Sequence, residues 1–499
     1  MCKYLAQLSL LSVSALILSA CGGSSDNVNF TGDYTVGGTV TGANSAILVI
    51  NDTGGNPDSV STDASFSFSG QPQSGACYKA GCTYAVEIVN QPIDQVCSIA
   101  NAAGTIGSSS VTDIAITCTS SPESIAYSFT GSSDGGQPVS GLSKGFDGNF
   151  YGVSARGGDY GFGSFYQFNP STGQTTGLYS FGETATDGRT PQSGLTQACD
   201  GDWYAATSSG GEYGTGTFYT ITSSGEERVL YSFGTTPTDA ANPQGLTIDI
   251  TSCPNPTPIF YGTSTSGGDN GAGTIFSITF DGVNWTEKVL HSFGATETDG
   301  AIPVAGMARG DGVTTGKYYG TTKNGGDWGY GTFFEYDAFT SQTTLLHSFG
   351  ATAADGRYPN QKPRQGDDGN LYGTTSAGGS NELGVIYKIV PSSGAETVFY
   401  TFQGGVIDGA RPSSRLKVGI DGNLYGLTSA GGYFDNGTFY QITPAGAQTT
   451  VYSFAGVGSS DGATPNASLL REVNGMWWGT TVSGGASGQG TIFSIRVSP

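Results

Sequence analysis

The chain has 499 residues, of which 82 are glycine and only 12% are charged, and its formal net charge is −21. Such an acidic surface repels phosphate backbones and anionic membranes, which excludes nucleic-acid binding. The glycine content is far above the usual ~7%, but the glycines recur at fixed intervals and therefore indicate turns of a β fold rather than disorder.

The N-terminus has the features of an export signal. Lys3 supplies a positive charge, and Leu5–Leu18 is an apolar stretch too short to span a bilayer comfortably. The stretch ends in Leu-Ser-Ala-Cys21, which resembles the lipobox of bacterial lipoproteins. This resemblance implies cleavage before Cys21 and acylation of that cysteine, and Gly22 favours the outer membrane of a Gram-negative bacterium. We expect a signal peptide over residues 1–20 and a lipid anchor at the cell surface; the alternative is an ordinary signal peptide.

The next two segments are a polar tether at residues 21–33 and a segment of short alternating apolar runs at residues 34–120. Turn-forming residues separate these runs, and no helical periodicity is present. Short strands at this spacing predict a small β-sandwich. We expect it to act as a spacer that holds the rest of the chain away from the membrane.

From Ser124 onwards a phrase close to Tyr-Ser-Phe, Asp-Gly, Pro, Tyr-Gly, Gly-Gly and Gly-Thr-Phe recurs seven times. A repeat of about fifty residues indicates one supersecondary unit copied many times. The phenylalanine of the opening phrase falls at Phe129, Phe181, Phe233, Phe293, Phe349, Phe402 and Phe454.

Each repeat unit is predicted to contain four antiparallel strands. In the second unit we expect them at residues 193–198, 203–207, 216–221 and 228–233. The first two are joined by Asp200-Gly201, which suits a type I′ hairpin. Because Ser124–Phe129 is a fourth-strand phrase that precedes the first unit, it is expected to pair with Thr491–Arg496 and complete the last unit. The sequence therefore predicts an all-β fold: a seven-bladed β-propeller of four-stranded antiparallel blades, residues 121–499, preceded by the small β-sandwich.

The recurring pattern, as in Leu371–Gly379 and Gly490–Phe493, resembles the GloVer tandem repeat of bacterial surface-anchored proteins over roughly residues 124–499. The resemblance implies a secreted cell-surface β-propeller and attaches no common activity to it. We expect the chain to depart from that pattern by using N-terminal lipidation in place of a C-terminal anchor. It also departs in the fifth unit, where residues 361–364, Gln-Lys-Pro-Arg, replace the Gly-Leu strand.

Six cysteines remain once Cys2 and Cys21 are set aside: Cys77, Cys82, Cys97, Cys118, Cys199 and Cys253. In an exported protein all six are expected to form disulfides. The first four allow three pairings, and proximity favours Cys77–Cys82 with Cys97–Cys118. The last two fall at equivalent places in consecutive repeats, which makes a bond between neighbouring units plausible.

Two sets of long loops are expected on one face of the propeller. The loops between repeat units carry one aspartate each: Asp134, Asp187, Asp239, Asp299, Asp355, Asp408 and Asp461. The loops between the second and third strands carry aromatic residues: Tyr160, Phe162, Tyr213, Trp328, Tyr330, Tyr433 and Phe434. Carboxylates and aromatic platforms together suit a glycan surface. The alternative is that the aspartates cap turns and the aromatic rings pack against adjacent blades.

Basic residues are rare, and five lie beside these loops: Arg156, Arg189, Lys323, Arg357 and Arg411. If they face one mouth of the propeller, they can bind the carboxylates or sulfates of an acidic polysaccharide. The alternative is local pairing with the neighbouring aspartates. His291 and His347 replace the tyrosine of the Tyr-Ser-Phe phrase, so we expect both to be structural.

We therefore expect a monomeric cell-surface lipoprotein whose propeller is a non-enzymatic binding or scaffold module for glycan or for another surface protein. The alternative is a secreted carbohydrate-active enzyme, a polysaccharide lyase or glycoside hydrolase, that uses the same face. The ligand-binding candidates are Arg156, Tyr160, Arg189, Tyr213, Lys323, Trp328, Arg357, Arg411 and Tyr433. No residue is singled out as catalytic, and neither a cofactor nor a metal site is predicted; calcium binding by the Asp-rich loops is left open.

Overall fold

The structure is a computed structural model that describes residues 34–43, 47–51, 58–60, 64–68, 80–90, 95–120, 123–249, 258–311, 315–456, 461–472 and 475–497. These residues form an all-β protein without helices. None of the described segments is therefore a helix that could cross a membrane. The chain divides into two compact units, Met1–Thr119 and Ser120–Pro499.

The first unit contains two four-stranded sheets. Their strands are β1 (Val36–Thr41), β2 (Ile47–Asn51), β3 (Asp58–Val60), β4 (Ser65–Phe68), β5 (Thr83–Asn90), β6 (Gln95–Ala100), β7 (Ala103–Thr105) and β8 (Val111–Ser120). The sheet orders are β4-β1-β8-β6 and β3-β2-β5-β7. Val36 and Ile114 of the first sheet share one hydrophobic core with Val86 of the second. The pairing of β1 with β8 is parallel, which the sequence pattern did not indicate.

One of the expected disulfide pairings lies wholly within the described residues. Cys97 and Cys118 are bonded to each other, which confirms that prediction. Cys82 forms a disulfide as well, and so does Cys199. Cys77 and Cys253, the partners we expected for them, lie outside the described residues, as does Cys21.

The repeat region forms a series of antiparallel sheets whose strands follow one another in the chain. Sheet 1 contains β10 (Gly136–Pro138), β11 (Ser143–Lys144), β12 (Phe150–Arg156), β13 (Ser164–Asn169) and β14 (Gln174–Ser180). Sheet 2 contains β15 (Gly188–Pro191), β16 (Thr196–Gln197), β17 (Trp203–Gly210), β18 (Thr217–Ile221) and β19 (Glu227–Ser232). Sheet 3 contains β20 (Ala240–Asp249), β21 (Ile259–Gly267), β22 (Thr274–Phe280) and β23 (Trp285–Ser292).

The remaining sheets repeat this order. Sheet 4 contains β24 (Gly300–Ala301), β25 (Ala308–Arg309), β26 (Lys317–Thr322), β27 (Asn324–Gly325), β28 (Thr332–Asp337) and β29 (Gln342–Ser348), with β24 paired to β27 alone. Sheet 5 contains β30 (Gly356–Pro359), β31 (Arg364–Gln365), β32 (Leu371–Gly378), β33 (Val385–Ile389) and β34 (Glu396–Thr401). Sheet 6 contains β35 (Gly409–Pro412), β36 (Lys417–Val418), β37 (Leu424–Gly431), β38 (Thr438–Ile442) and β39 (Gln448–Ser453). Sheet 7 contains β40 (Gly462–Pro465), β41 (Leu470–Arg471), β42 (Met476–Gly484), β43 (Thr491–Arg496) and the leading strand β9 (Glu123–Ser128).

The leading strand completes the last sheet, as predicted. β9 pairs antiparallel with β43, and Ser128 lies opposite Thr491. The last sheet is therefore built from both ends of the repeat region, 363 residues apart at this pair of positions.

The first strand of a repeat is split in two in most sheets, which corrects the continuous strand expected at residues 193–198. In sheet 2 the backbone turns at Thr190, whose φ is 54°, and Pro191 has no N–H for a ladder bond. The Ser193 hydroxyl replaces the missing backbone bonds to the next strand: it accepts the N–H of Ala206 at 2.7 Å and donates to the Ala206 carbonyl at 3.0 Å. Pairing resumes only at β16.

Aromatic rings couple each sheet to the next. The contacts are Tyr151–Trp203, Phe218–Phe260, Tyr261–Tyr318, Phe333–Tyr387, Phe402–Tyr440, Tyr425–Trp477 and Phe150–Trp478, with ring centroids 4.4–6.0 Å apart. The last contact joins sheet 7 to sheet 1. The series of contacts therefore returns to its starting point.

Candidate functional site

The loops between the second and third strands share one backbone geometry. Each begins with two glycines in the left-handed region, such as Gly210 (φ 81°) and Gly211 (φ 78°). A Cβ atom at Gly210 would overlap the backbone of the inter-repeat loop at Asp187. The glycine pair is therefore required for the two sets of loops to lie side by side at one end of the sheets, which we call the loop face.

The inter-repeat aspartates cap turns, as the alternative interpretation held. Asp408, which is 3% exposed, accepts the N–H groups of Gln403 and Gly409, both at 2.7 Å. It also accepts the hydroxyl of Tyr400 at 2.8 Å. Six of the seven aspartates are buried, and only Asp299 is more accessible. Their oxygens satisfy the protein's own donors instead of forming a carboxylate ring open to a ligand.

Each aspartate is held by the tyrosine or histidine of the preceding Tyr-Ser-Phe phrase. The pairs are Tyr127–Asp134, Tyr179–Asp187, Tyr231–Asp239, His291–Asp299, His347–Asp355, Tyr400–Asp408 and Tyr452–Asp461. The tyrosine pairs are hydrogen bonds, whereas the two histidines lie 3.6 and 3.7 Å from their aspartates. Both histidines therefore occupy structural positions. The pairing was not predicted from the sequence, although the spacing of seven to nine residues recurs in every repeat.

Three of these aspartates lie beside a glutamate of the following sheet. Burial is the main cause that raises the pKa of each glutamate, and the charge of the nearby aspartate adds to it. The pKa is about 8 for Glu227 beside Asp187, about 9 for Glu287 beside Asp239 and about 7 for Glu396 beside Asp355. These glutamates are consequently neutral under mildly acidic conditions. One such group, His347, Asp355 and Glu396, offers three potential metal ligands within 4.8 Å of one another. The residues are too far apart in sequence for ligand spacing to have revealed them.

Three of the predicted aromatic residues project from equivalent loop positions into solvent. Tyr160 is 45% exposed, Tyr213 is 47% exposed and Trp328 is 54% exposed. Each follows the glycine pair of its loop by the same number of residues. Tyr433 is only half-buried, and its ring meets that of Phe434 edge-on at 5.0 Å.

The five basic candidates fall into two groups. Arg189 stacks on Phe162 at 4.5 Å, and Arg357 stacks on Tyr330 at 4.6 Å and pairs with Glu382 at 2.8 Å. These two arginines bridge neighbouring repeats. They do not pair with the inter-repeat aspartates, which was the alternative considered from the sequence. The other three are exposed and, among the described residues, form no ion pair: Arg156, Lys323 and Arg411.

A second polar cluster, not singled out from the sequence, lies in and just before the short strands β31 and β36 of sheets 5 and 6. It comprises Lys362, Arg364, Arg415 and Lys417, and we call it the central cation cluster. The sequence feature that could have revealed the cluster is the regular spacing of its basic residues, which are separated by one residue in Lys-Pro-Arg and in Arg-Leu-Lys. We had treated the first of these phrases only as a departure from the repeat pattern.

Comparison with known proteins identifies the repeat. The profile of the Gloeobacter/Verrucomicrobia repeat matches residues 95–316 and 312–498. No curated protein sequence matches the chain.

Solved structures resemble it only distantly. TolB from Acinetobacter baumannii shares 13% identity with a TM-score of 0.33, over 57% of this chain and 60% of TolB. A putative 6-phosphogluconolactonase from Bacteroides fragilis shares 14% identity with a TM-score of 0.38, over 68% of this chain and 92% of the other. The GH93 alpha-L-arabinofuranosidase of Fusarium graminearum shares 10% identity with a TM-score of 0.39, over 72% of this chain and 93% of the enzyme. The family match, which spans most of the sequence, confirms the resemblance stated above: the chain belongs to the Gloeobacter/Verrucomicrobia repeat family.

Proposed function

We propose that the chain is a lipid-anchored cell-surface protein whose repeat region is a seven-bladed β-propeller that binds glycan on its loop face. Support for the seven blades comes from the ring contacts that lead from each repeat sheet to the next and back to the first. The shared core of the two N-terminal sheets supports a small β-sandwich between propeller and anchor. Residues 1–20, 21–33, 34–120 and 121–499 would then be signal peptide, tether, spacer and binding module.

The exposed rings of Tyr160, Tyr213 and Trp328 carry the glycan proposal. Aromatic side chains usually bury most of their surface, so the same exposed position in several repeats calls for a partner. The apolar faces of sugar rings suit such platforms. The exposed Arg156 and Lys323 lie beside the glycine pairs of the same loops and would favour glycans that carry acidic groups.

Binding without turnover is favoured over the enzymatic alternative. A glycoside hydrolase needs two carboxyl groups that flank a cleft, ~5 Å or ~6.5–9.5 Å apart. The inter-repeat aspartates, which were the candidates for that role, accept backbone N–H groups and tyrosine hydroxyls of their own turns. Release of product from a polysaccharide would instead support the carbohydrate-active enzyme.

Removing the Trp328 ring should weaken glycan binding by roughly two- to tenfold, because one stacked ring contributes ~0.5–1.5 kcal/mol. We would screen a glycan array with the wild-type protein and measure the affinity of the best glycan by calorimetry for Trp328→Ala. Phe339→Ala is the matched control, because Phe339 is 81% exposed but lies in the turn between β28 and β29, at the other end of the sheet. Equal affinities for all three proteins, or no binding to any glycan, would contradict a glycan site on the loop face.

Changing Cys21 to Ala should release the protein from the membrane fraction or leave its signal peptide uncleaved. The thiol of Cys21 is the proposed site of acylation, and several acyl chains give stable anchoring because each buried methylene contributes ~0.8 kcal/mol. Fractionation and mass spectrometry of the mature chain provide the measurement. Cys2→Ala is the control and should leave anchoring unchanged; an unaltered mass and membrane partition of the Cys21 variant would refute the anchor.

A further inference from the structure

The central cation cluster brings together four cations from two neighbouring sheets. Arg364 lies in β31 of sheet 5 and Lys417 in β36 of sheet 6, and Lys362 and Arg415 each precede them by two residues. The charges of Arg415 and Lys417 act on Lys362, and those of Arg415 and Arg364 act on Lys417, so the four side chains lie close together. Leu416, between Arg415 and Lys417, is 1% exposed and packs in the core between sheets 5 and 6.

The side chain of Lys362 reaches a sheet that is not its neighbour. Its ammonium group donates a hydrogen bond to the Thr247 hydroxyl at 2.7 Å. Thr247 belongs to β20 of sheet 3, two sheets away from Lys362 in sheet 5. Because the sheets form a closed series, we infer that a bond between two sheets that are not neighbours runs across the inside of that series.

The cluster has no negative charge to balance it in the part of the chain that the structure describes. Other first-strand cations are satisfied by the protein: Lys144 pairs with Glu472 at 2.6 Å, Arg309 with Asp249 at 3.2 Å, and Arg471 donates to the Val418 carbonyl at 2.8 Å. The four cluster residues form no such ion pair, and the Nε atoms of Arg364 and Arg415 are buried without a hydrogen-bond partner. This is notable in a chain with 40 acidic residues and only 19 basic ones.

Such an arrangement is costly in the absence of a ligand. Burial, followed by the charges of Arg415 and Lys417, lowers the pKa of Lys362 well below its ordinary value. Burial and then the charges of Arg415, Arg364 and Arg471 lower the pKa of Lys417 to about 8. Enclosed charges of one sign destabilise a fold unless opposite charge is supplied. The described part of the chain supplies no such charge, so an external anion is the natural source.

We propose that Lys362, Arg364, Arg415 and Lys417 form a binding site for a compact oxyanion, that is, a carboxylate, sulfate or phosphate group, either free or at the end of a larger molecule. Guanidinium groups bind such oxygens through paired N–H donors, and ammonium groups add point charges. β31 and β36 lie next to the Asp-Gly turns, at the opposite end of the sheets from the Gly-Gly loops. The site is therefore separate from the loop face and does not depend on the glycan proposal.

Anions should raise the melting temperature of the whole protein in a way that depends on the cluster. We would compare sulfate, phosphate and glucuronate with chloride at equal ionic strength, and glucose with glucuronate to separate the charge from the sugar. A rise of at least about 3 °C at saturating oxyanion is expected, since ligand binding stabilises the folded state. A larger rise with glucuronate than with sulfate or phosphate would assign the site to sugar carboxylates, and the reverse order to free anions.

The double variant Arg415→Gln and Lys417→Gln distinguishes a site from general salt effects. It should melt at a higher temperature than wild type in dilute chloride, because two mutually repelling charges are removed, and it should lose the oxyanion response. Misfolding cannot produce that combination. Lys144→Gln, which removes a cation that already has a partner, should keep the response. An equal response to chloride and oxyanions in wild type, or an undiminished response in the double variant, would overturn the proposal.

Discussion

Replacing Phe129 with alanine should lower the free energy of unfolding by about 3–5 kcal/mol, the usual cost of deleting a buried phenylalanine ring. Phe129 follows the leading strand β9, is fully buried and meets Tyr166 of sheet 1 at 4.9 Å. Its ring therefore belongs to the junction where the end of the repeat region returns to its beginning. Because β9 pairs with β43 and Phe129 packs against sheet 1, a large cost at this position is expected if the first and last sheets of the repeat region are joined.

Phe349 provides an internal standard for this prediction. It occupies the equivalent position between sheets 4 and 5, is equally buried and meets Tyr387 at 5.0 Å. Denaturant unfolding of Phe129→Ala and Phe349→Ala should give losses of similar size if both positions are internal junctions of one ring. A loss within ~0.5 kcal/mol for Phe129→Ala, alongside a large loss for Phe349→Ala, would show that the leading strand does not hold the ring together.

The architecture was accessible from the sequence because its signals are local and repeated. The glycine pairs are placed where the backbone needs positive φ, as at Gly210, and the opening phrase of each repeat ends in a buried phenylalanine. The offset of Ser124–Phe129 from its own repeat indicated closure, and β9 does pair with β43. In each case a residue type reports directly on a backbone conformation or on burial.

The functional side chains were less accessible because their roles depend on neighbours from other repeats. Arg189 stacks on Phe162 of the preceding repeat rather than meeting an aspartate. Ser193 replaces ladder hydrogen bonds of a strand that the pattern made continuous. The hydrogen bond of Lys362 depends on Thr247 of sheet 3, which only the folded structure brings close to sheet 5. No single-repeat pattern contains that information.

Changing Glu287 to Gln should make the protein progressively more stable than wild type as the pH rises from 5 to 9. Burial, followed by the hydrogen bond and charge of Asp239, raises the pKa of Glu287 to about 9 from an ordinary value of 4.5. The folded state therefore holds a proton that the unfolded state releases. The stability contributed by the neutral Glu287 is complete below pH 4.5 and is lost as the pH approaches 9. Glutamine keeps the neutral shape and has no proton to lose.

The expected gain of Glu287→Gln over wild type is several kcal/mol at pH 9 and less than ~1 kcal/mol at pH 5, because each unit of pKa shift corresponds to about 1.4 kcal/mol. The comparison must be made between variant and wild type, because Lys417, whose pKa is lowered to about 8, titrates with the opposite sign above that pH in both proteins. Denaturant unfolding at several pH values provides the measurement. Glu212→Gln, at an exposed position of the Gly-Gly loop of sheet 2, is the control and should follow the wild-type curve. A difference between Glu287→Gln and wild type that does not change with pH would mean that Glu287 is ionised beside Asp239 in the folded protein, and that the buried pair is not held together by a proton.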